Sequence, residues 1–591
     1  MSSGKIILGL SCFYHDSAAA LLIDGKIAAA AQEERFTRKK HDESFPKNAI
    51  DYCFKSKGLT INDVDYIVFY DKPIAKFERL LLTYIKVWPK GLKSFIMAMR
   101  VWLKNKLWIE QIIAKETGFK GEILFTEHHY SHAASAYYCS NFNDAAIVAI
   151  DGVGEWDTTT VGYGKGNKIC LTHTIEFPDS LGLLYSALTY YLGFKVNSAE
   201  YKVMGLAPYG DSSKYYETFK KLIEIKDDGS YKLDMSYFAF EYGLTMTNTK
   251  FNRLFDGEPR NSEAPLLQKH KDIAAGLQKL TNEIVVKIVE YAKKNFPSDN
   301  LCLAGGVALN CVANGKIIEK GLFKNVYIQP ASGDAGGAIG AACYLYYDTL
   351  NNPKQKEVLK NIYLGPEYDD RDIEKCIEFI SKKLKKQIIY KKFDDQDFFS
   401  FVADLINKKY VIGWFQGRME FGPRALGNRS IIADARDKEN WQRVNLKIKF
   451  RESFRPFAPS VLEDCAQLWF DLKGHISPYM LLTAQTKKND LPAVTHIDGS
   501  ARIQTVSRED NIRYYNLIDS FYKKTGCPVI LNTSFNVRGE PIVCAPIDAF
   551  NCFINTDMDY LVMNNYIIGK DDNIKLLSLR NMEYLNKFKL D

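Results

Sequence analysis

The sequence predicts a two-domain α/β protein in which a duplicated N-terminal domain precedes a smaller α/β domain. Its 591 residues, 46% hydrophobic and 25% charged, exceed the size at which a single core stops growing. Two stretches share one order of strands and turns. A polar run at 350–361 follows a Gly/Ala-rich helix, which indicates a boundary. We therefore place the domains at 1–352 and 362–591.

The two similar stretches predict an internal repeat. "KIILGLSCFYHDSAAALLIDGKIAAAAQEER" reads as three strands joined by a polar turn and by Asp24-Gly25. "DAAIVAIDGVGEWDTTTVGYGKGNKICL" has the same order around Asp151-Gly152. Two such units, each followed by helical material, are typical of the actin, heat-shock ATPase and sugar kinase fold, whose turns hold a nucleotide's phosphates.

Composition narrows the class of function. A net charge of +7 is mild for this length and argues against nucleic acid as a ligand, but it suits small anions. The 12 cysteines include no CxxC pair, as expected of thiols in a reducing compartment. The sequence has neither the apolar core of a signal peptide nor a membrane span. These features predict a cytoplasmic enzyme.

An aromatic and basic stretch at 80–113 has two interpretations. Six Lys or Arg and no acid occur from Lys86 to Lys106, so a contact with a membrane surface or an anionic acceptor is conceivable. A solvated basic face over a buried apolar stripe is the interpretation we favour. It predicts that the protein does not sediment with anionic liposomes.

The stretch "HHYSHAASA" at 128–136 concentrates three of the nine histidines. In a helix, His128 and His132 stand one turn apart on the same face, whereas His129 points away. The two imidazoles could share one metal ion. The alternative is a helix start with surface histidines.

A tight turn at "IQPASGDAGGAIGAA" displays Asp334 beside a helix N-terminus, where it could also be an N-cap. In the duplicated fold this turn and the Asp151 turn both open onto the cleft between the lobes. His128, His132, Asp151 and Asp334 could therefore converge. Two imidazoles and two carboxylates suit a divalent ion, with iron our first choice and manganese or zinc as alternatives.

Two further clusters suit phosphate-bearing ligands. "LAGGVALN" places Gly305 and Gly306 after a strand, where backbone amides can approach a ligand closely. In the C-terminal half, basic residues are interleaved with Gly-Pro turns and Phe, which favours a pocket for phosphates over a solvated face; they are Arg418, Arg424, Arg429, Lys449, Arg451 and Arg455. "GSARIQTV" adds Arg502, and "LNTSFNVRGEPIV" adds Ser534 as an exposed turn hydroxyl.

Seven motifs in a fixed order identify a family resemblance. "FYHDSAAALLIDG", "EERFTRKKH", "HHYSHAASA", "DGVGEWDTT", "EYKVMGLAPYG", "LAGGVALN" and "SGDAGGAIGAA" occur as in O-carbamoyltransferases of the nodulation, aminoglycoside and cephamycin type. Such proteins join a metal-dependent domain, similar to the tRNA threonylcarbamoyl transferase, to a C-terminal domain that makes the carbamoyl adenylate.

The resemblance implies roles for individual residues. The four converging residues above would hold the metal, and His15 would lie near the acceptor hydroxyl as a candidate base. Gly305, Gly306 and Asn310 would contact the adenylate. The C-terminal basic residues, together with Ser534, would hold carbamoyl phosphate and ATP, and Arg455 and Ser534 would contact the reacting groups.

The function that follows is an O-carbamoyltransferase. Carbamoyl phosphate and Mg-ATP would give carbamoyl adenylate, whose carbamoyl group passes to a hydroxyl of an alkaloid, an antibiotic or a saccharide. A homodimer is compatible with the sequence. The alternatives are a tRNA-modifying carbamoyl-type transferase and a sugar kinase with a regulatory tail.

Overall fold

In the computed structural model, which describes residues 4–452, 454–581 and 583–588, the chain divides into two units. The first contains the described residues up to Glu33 and His41–Leu359. The second contains Glu34–Lys40 and the described residues from Lys360 onward. Glu34–Lys40, which lies within the "EERFTRKKH" motif, thus belongs to the C-terminal unit.

The first unit begins with a five-stranded sheet. Its strands are β1 (Ile6–Ser11), β2 (Ala18–Ile23), β3 (Lys26–Gln32), β4 (Tyr66–Phe69) and β5 (Glu122–Phe125). They lie in the order β3-β2-β1-β4-β5. The first three are antiparallel, and β4 and β5 continue the sheet in parallel with β1.

A second five-stranded sheet in the same unit repeats this topology. The next strands along the chain are β6 (Asp144–Ile150), β7 (Asp157–Lys165), β8 (Lys168–Glu176), the hairpin β9 (Ile223–Ile225) and β10 (Tyr231–Leu233), then β11 (Asn300–Ala304) and β12 (Asn325–Ile328). The five strands of the second sheet lie in the order β8-β7-β6-β11-β12, whereas β9 and β10 form a separate two-stranded sheet. Its first three strands are again antiparallel and its last two parallel to β6. The predicted duplicated α/β fold is confirmed.

Helices connect and cover these strands. Apart from α1 (Glu34–Thr37), which belongs to the second unit, the helices up to β6 are α2 (Lys47–Lys55), α3 (Pro73–Val87), α4 (Leu92–Lys104), α5 (Ile109–Thr117) and α6 (His128–Tyr137). After β8 they are α7 (Leu181–Tyr191), α8 (Glu200–Leu206), α9 (Ser213–Phe219), α10 (Thr249–Leu254), α11 (Gln268–Asn295), α12 (Cys311–Lys320) and α13 (Asp334–Cys343). Because helices cover both faces, β1 and β6 are buried over nearly their whole length.

The second unit is built on one nine-stranded mixed sheet. Its strands are β13 (Lys391–Lys392), β14 (Ile412–Phe415), β15 (Arg429–Asp434), β16 (Ala458–Leu462), β17 (Leu482–Gln485), β18 (Ser500–Val506), β19 (Val529–Ser534), β20 (Tyr560–Met563) and β21 (Tyr566–Gly569). The order is β13-β21-β20-β14-β15-β19-β16-β18-β17.

Helices complete this unit around a single large apolar core. They are α14 (Asp370–Leu384), α15 (Asp395–Asn407), α16 (Lys438–Arg443), α17 (Glu463–Trp469), α18 (Ile512–Thr525) and α19 (Pro546–Ile554). Trp414 on β14 and Tyr514 on α18 are fully buried in that core. The C-terminal unit is therefore α/β, as predicted.

The helical stretch at 80–113 corrects one prediction. Pro73 is the only buried residue of α3 and Ser94 the only one of α4, so neither helix covers a buried apolar stripe. The favoured interpretation is wrong for α3 and α4, because eight of their large apolar side chains are exposed and the others are only partly buried. In α5, which ends the stretch, Ile109 and Ile113 are buried as expected. No helix within the described residues is long and apolar enough to cross a membrane.

Candidate functional site

The four predicted metal ligands come together in the first unit. His128 and His132 lie on α6, Asp151 follows β6, and Asp334 is the first residue of α13. Both histidines and Asp334 are buried, which excludes the surface-histidine alternative. Asp334 does not cap its helix, because Gly333 is the N-cap residue.

Short distances join the four side chains. His128 Nε2 lies 3.1 Å from Asp151 Oδ2 and 3.0 Å from His132 Nε2. Asp334 Oδ1 lies 3.7 Å from His128 Nε2 and 3.8 Å from His132 Nε2. One ligand atom from each residue lies within 4.8 Å of the others. Because a divalent cation would balance the two carboxylates, this buried set of nitrogen and oxygen donors fits a metal ion.

The charged groups of this cluster shift one another's pKa values. Burial opposes ionisation of Asp151, yet hydrogen bonds from His128 and His132 hold its pKa well below the ordinary value. Burial and Lys76 disfavour the imidazolium of His128, but Asp151 and Asp334 raise its pKa nonetheless. The two carboxylates thus favour the protonated form of His128, so protons compete with a cation for this imidazole.

Close packing of α13 on α6 places the aspartate beside the histidines. A Cβ added to Gly340 would lie 1.7 Å from the backbone oxygen of Ser131. Glycine is thus required for the two helices to approach this closely, and Ser131 is one residue from His132. The small-residue sequence of α13 serves to assemble the site.

We expect Gly340→Ala to destabilise the first unit by about 1–3 kcal/mol, because the added methyl group must push α6 and α13 apart. Urea unfolding followed by circular dichroism measures this loss. Gly333→Ala, at the N-cap of the same helix, is the control, since a Cβ there meets no atom within 4 Å. An equal loss in both variants would contradict the packing argument.

His15 lies beside the cluster and belongs to a hydrogen-bonded chain. Its Nδ1 is 3.1 Å from Asp16 Oδ2, and its Nε2 is 3.8 Å from Asp334 Oδ2. The other oxygen of Asp16 is 2.7 Å from His41 Nδ1, and His41 Nε2 is 3.0 Å from the hydroxyl of Ser198. Burial lowers the pKa of His15, but Asp334, Asp16 and Asp151 together raise it to about 10.

The predicted nucleotide loop adjoins the same cluster. The backbone amide of Gly306 donates to Asp151 Oδ1 at 2.8 Å. Gly305 has φ +85°, and a Cβ there would lie 2.2 Å from the oxygen of Ile150. Asn310 caps α12 through the amide of Ala313 and exchanges hydrogen bonds with Gln278. In this structure the side chain of Asn310 holds the loop.

The predicted residues of the C-terminal unit lie at one edge of the nine-stranded sheet, namely the side on which the ends of its central strands meet. Strands β15 and β16 run antiparallel to β19, and β18 runs parallel to β16. Their register brings the starts of β15, β16 and β18 to the end of β19. This edge, with the loops that precede β15 and β16, carries Arg418, Arg424, Arg429, Lys449, Arg455, Arg502 and Ser534.

Lys449 and Ser534 are in direct contact at this edge. The Lys449 ammonium is buried and donates to the backbone oxygen and hydroxyl of Ser534 at 2.7 and 3.2 Å. It also donates to the side-chain oxygen of Asn536 at 2.5 Å, and the Ser534 hydroxyl donates to that oxygen at 2.7 Å. Burial and the nearby Arg451 and Arg455 lower the pKa of Lys449 well below its ordinary value. A bound anion would offset the positive charge of these arginines and so raise the pKa of Lys449 again.

Two predictions about individual residues need correction. Ser534 is half-buried as the last residue of β19 and is not an exposed turn residue. Arg429 is fully buried, and its guanidinium donates to five backbone carbonyls, those of Pro366, Gln416, Gly417, Asn428 and Cys544. This geometry favours a role for Arg429 in shaping the loop rather than in binding phosphate.

Other predicted arginines have partners as well. Arg455 lies 3.5 Å from Glu452, whose other oxygen is 3.3 Å from Arg538. Arg418 donates to the backbone oxygens of Leu364 and Gly365. Asn536 and Arg538, which contact Lys449 and Glu452, are not among the residues predicted from the sequence, although both lie in the quoted motif "LNTSFNVRGEPIV".

The chain matches known proteins over nearly its whole length. Residues 6–343 match the family model described as carbamoyltransferase N-terminus, and residues 403–570 match that described as carbamoyltransferase C-terminus. The uncharacterized protein sll1178 of Synechocystis sp. is 50% identical over 598 residues, covering 95% of this chain and 96% of its own.

Relatives from other organisms are similar over comparable lengths. Nodulation protein NolNO of Sinorhizobium fredii is 40% identical and covers 94% of this chain and 79% of its own. The uncharacterized protein MJ1058 of Methanocaldococcus jannaschii is 32% identical and covers 95% and 99%. The solved structure of T. kodakarensis HypF is 16% identical and covers 60% of this chain and 49% of its own, with a TM-score of 0.29.

Proposed function

The chain belongs to the carbamoyltransferase family, and from this premise we propose an O-carbamoyltransferase that uses two sites. The C-terminal unit makes carbamoyl adenylate, and the N-terminal unit transfers the carbamoyl group to an acceptor hydroxyl. The observation that carries the proposal is the largely buried cluster of two imidazoles and two carboxylates in the unit that matches the N-terminal family model.

Activation begins with carbamoyl phosphate, Mg-ATP and water. Hydrolysis releases phosphate and carbamate, and an oxygen of carbamate then attacks the α-phosphorus of ATP. Pyrophosphate leaves, and the mixed anhydride carbamoyl adenylate remains. Arg455 and the contact pair Lys449 and Ser534 supply the charge and hydroxyl that such phosphates require.

Transfer takes place at the four-residue cluster. His128, His132, Asp151 and Asp334 would hold a divalent ion, with iron as our first choice and manganese or zinc as alternatives. When bound, the ion supplies a Lewis acid that polarises the carbamoyl oxygen. The Gly305-Gly306 loop, whose Gly306 amide donates to Asp151, lies beside this cluster and would contact the adenylate there.

His15 is the candidate base for the acceptor hydroxyl. The hydroxyl oxygen bonds to the carbamoyl carbon, AMP leaves with the bonding electrons, and the hydroxyl proton passes to His15 Nε2. A base must be neutral, and the carboxylates Asp151 and Asp334 favour the imidazolium. Because a cation held by them would offset their charge, the pKa of His15 would fall toward the range in which the neutral base forms. Asp16 orients the ring through Nδ1.

A nucleotide assay tests the proposed activation. We expect purified protein with Mg-ATP to release pyrophosphate and form AMP in equal amounts, and only when carbamoyl phosphate is present. Quantitative chromatography of AMP, ADP and ATP measures this. Formation of ADP without carbamoyl phosphate would contradict the proposal, because it is the signature of a kinase.

A further inference from the structure

The helical segment at 73–108, formed by α3, α4 and the 3₁₀ turn Lys106–Trp108, exposes an unusual amount of apolar surface. Ten of the 25 large apolar side chains that are exposed among the described residues lie within these 36 positions. They are Ile74, Leu82, Ile85, Trp88, Leu92, Ile96, Met97, Val101, Leu103 and Trp108. Ile85 is 71% exposed and Trp88 65%. Apolar exposure this concentrated marks an interaction surface.

The same segment is strongly basic. Between Lys86 and Lys106 there are six Lys or Arg and no Asp or Glu. Five of these cations are exposed: Lys86, Lys90, Lys93, Arg100 and Lys104. Lys106 is partly buried and lies 5.8 Å from the ring of Tyr14. Cations therefore alternate with apolar side chains along an exposed pair of helices.

The exposed apolar area and the positive charge together distinguish between possible binding partners of this surface. A second copy of the chain would cover the apolar side chains but would bring six more cations against the first six, which repel one another. A surface of anionic lipid satisfies both requirements, since acyl chains accept the apolar side chains and headgroups pair with Lys and Arg. Exposed tryptophans such as Trp88 and Trp108 prefer the boundary between lipid and water.

We infer that residues 73–108 dock the protein on anionic membranes. The helices lie in the lipid interface and do not cross it, consistent with the absence of a spanning helix among the described residues. The interaction is a property of this surface and goes beyond carbamoyl transfer. It also replaces the expectation, based on a buried stripe, that anionic liposomes leave the protein in solution.

Vesicle sedimentation tests the inference with the full chain. We expect the protein to sediment with phosphatidylcholine vesicles that contain phosphatidylglycerol at about 0.05 M salt. It should stay in solution with phosphatidylcholine alone, and salt at about 1 M should release it, because the Debye length falls to about 3 Å.

Two paired variants separate the contributions of charge and apolar contact. Ile85→Ser with Trp88→Ser, and Lys90→Glu with Lys93→Glu, should each weaken vesicle binding at least ~10-fold. Leu468→Ser with Ile497→Ser is the matched control, since both side chains are exposed in the C-terminal unit, at 67% and 66%. The control should sediment like the unchanged protein.

Three outcomes would overturn the inference. They are no sedimentation of the unchanged protein, equal sedimentation of all variants, and a dimer that the 85/88 variant converts to a monomer in analytical ultracentrifugation. The last would make this surface a self-association interface. Carbamoyl-phosphate-dependent pyrophosphate release should be retained in every variant, so failure of docking and failure of the proposed function can be told apart.

Discussion

Alanine at Arg455 or Ser534 should lower carbamoyl-phosphate-dependent pyrophosphate release from ATP by about 10²–10³-fold. Each change removes a charge-assisted or hydroxyl contact at the sheet edge that holds Lys449. Both variants should still transfer the carbamoyl group from carbamoyl adenylate that is supplied from outside. Pyrophosphate release and product formation are measured separately by a coupled assay and by mass spectrometry.

Alanine at His128 should have the opposite effect. Pyrophosphate release continues, but the carbamoyl group does not reach the acceptor, because the cluster loses one of its two imidazoles. Two controls match these variants: Arg436→Ala removes a partly exposed arginine that pairs with Asp434, and His173→Ala removes an exposed histidine. Both should leave the two half-reactions intact.

The two-site account fails if His128→Ala stops pyrophosphate release as completely as Arg455→Ala while both proteins remain folded. One shared active site would then be the simpler explanation. Mixing Arg455→Ala with His128→Ala should restore little product, since carbamoyl adenylate that escapes into water is hydrolysed. Efficient rescue would show that the intermediate survives in solution.

His132→Ala should lose most of the bound metal while retaining its fold. His132 is buried with its Nε2 3.0 Å from that of His128, and its removal leaves three of four ligand atoms. Since loss of an outer-shell partner typically weakens metal binding 10–100-fold, loss of a ligand should weaken it by more than ~100-fold. Elemental analysis after dialysis measures metal content, and circular dichroism checks the fold.

His129→Gln is the control for this experiment. His129 is equally buried on the same helix, but its Nδ1 pairs with the Thr160 hydroxyl at 3.0 Å and it does not belong to the cluster. It should keep its metal. Unchanged metal content in His132→Ala would overturn the assignment. Binding should also weaken as the pH falls, because protons compete for His128, whose pKa is raised.

Local pattern was sufficient for several features of this protein. Alternation of apolar runs and Asp-Gly turns predicts both three-strand units, since strand and turn preferences depend on neighbouring residues. The spacing of His128 and His132 predicts a shared face of one helix. The expected duplicated fold then predicts that the turns of Asp151 and Asp334 open onto the same cleft between the lobes.

Only the tertiary structure decided the remaining features. The contact of Lys449 with Ser534, that of His41 with Ser198, and that of Arg429 with Pro366 all join residues that are distant in sequence. Periodicity reveals that α3 and α4 have apolar positions, but not whether another element covers them. That depends on what packs against the helices, and here eight of their large apolar side chains remain exposed to solvent.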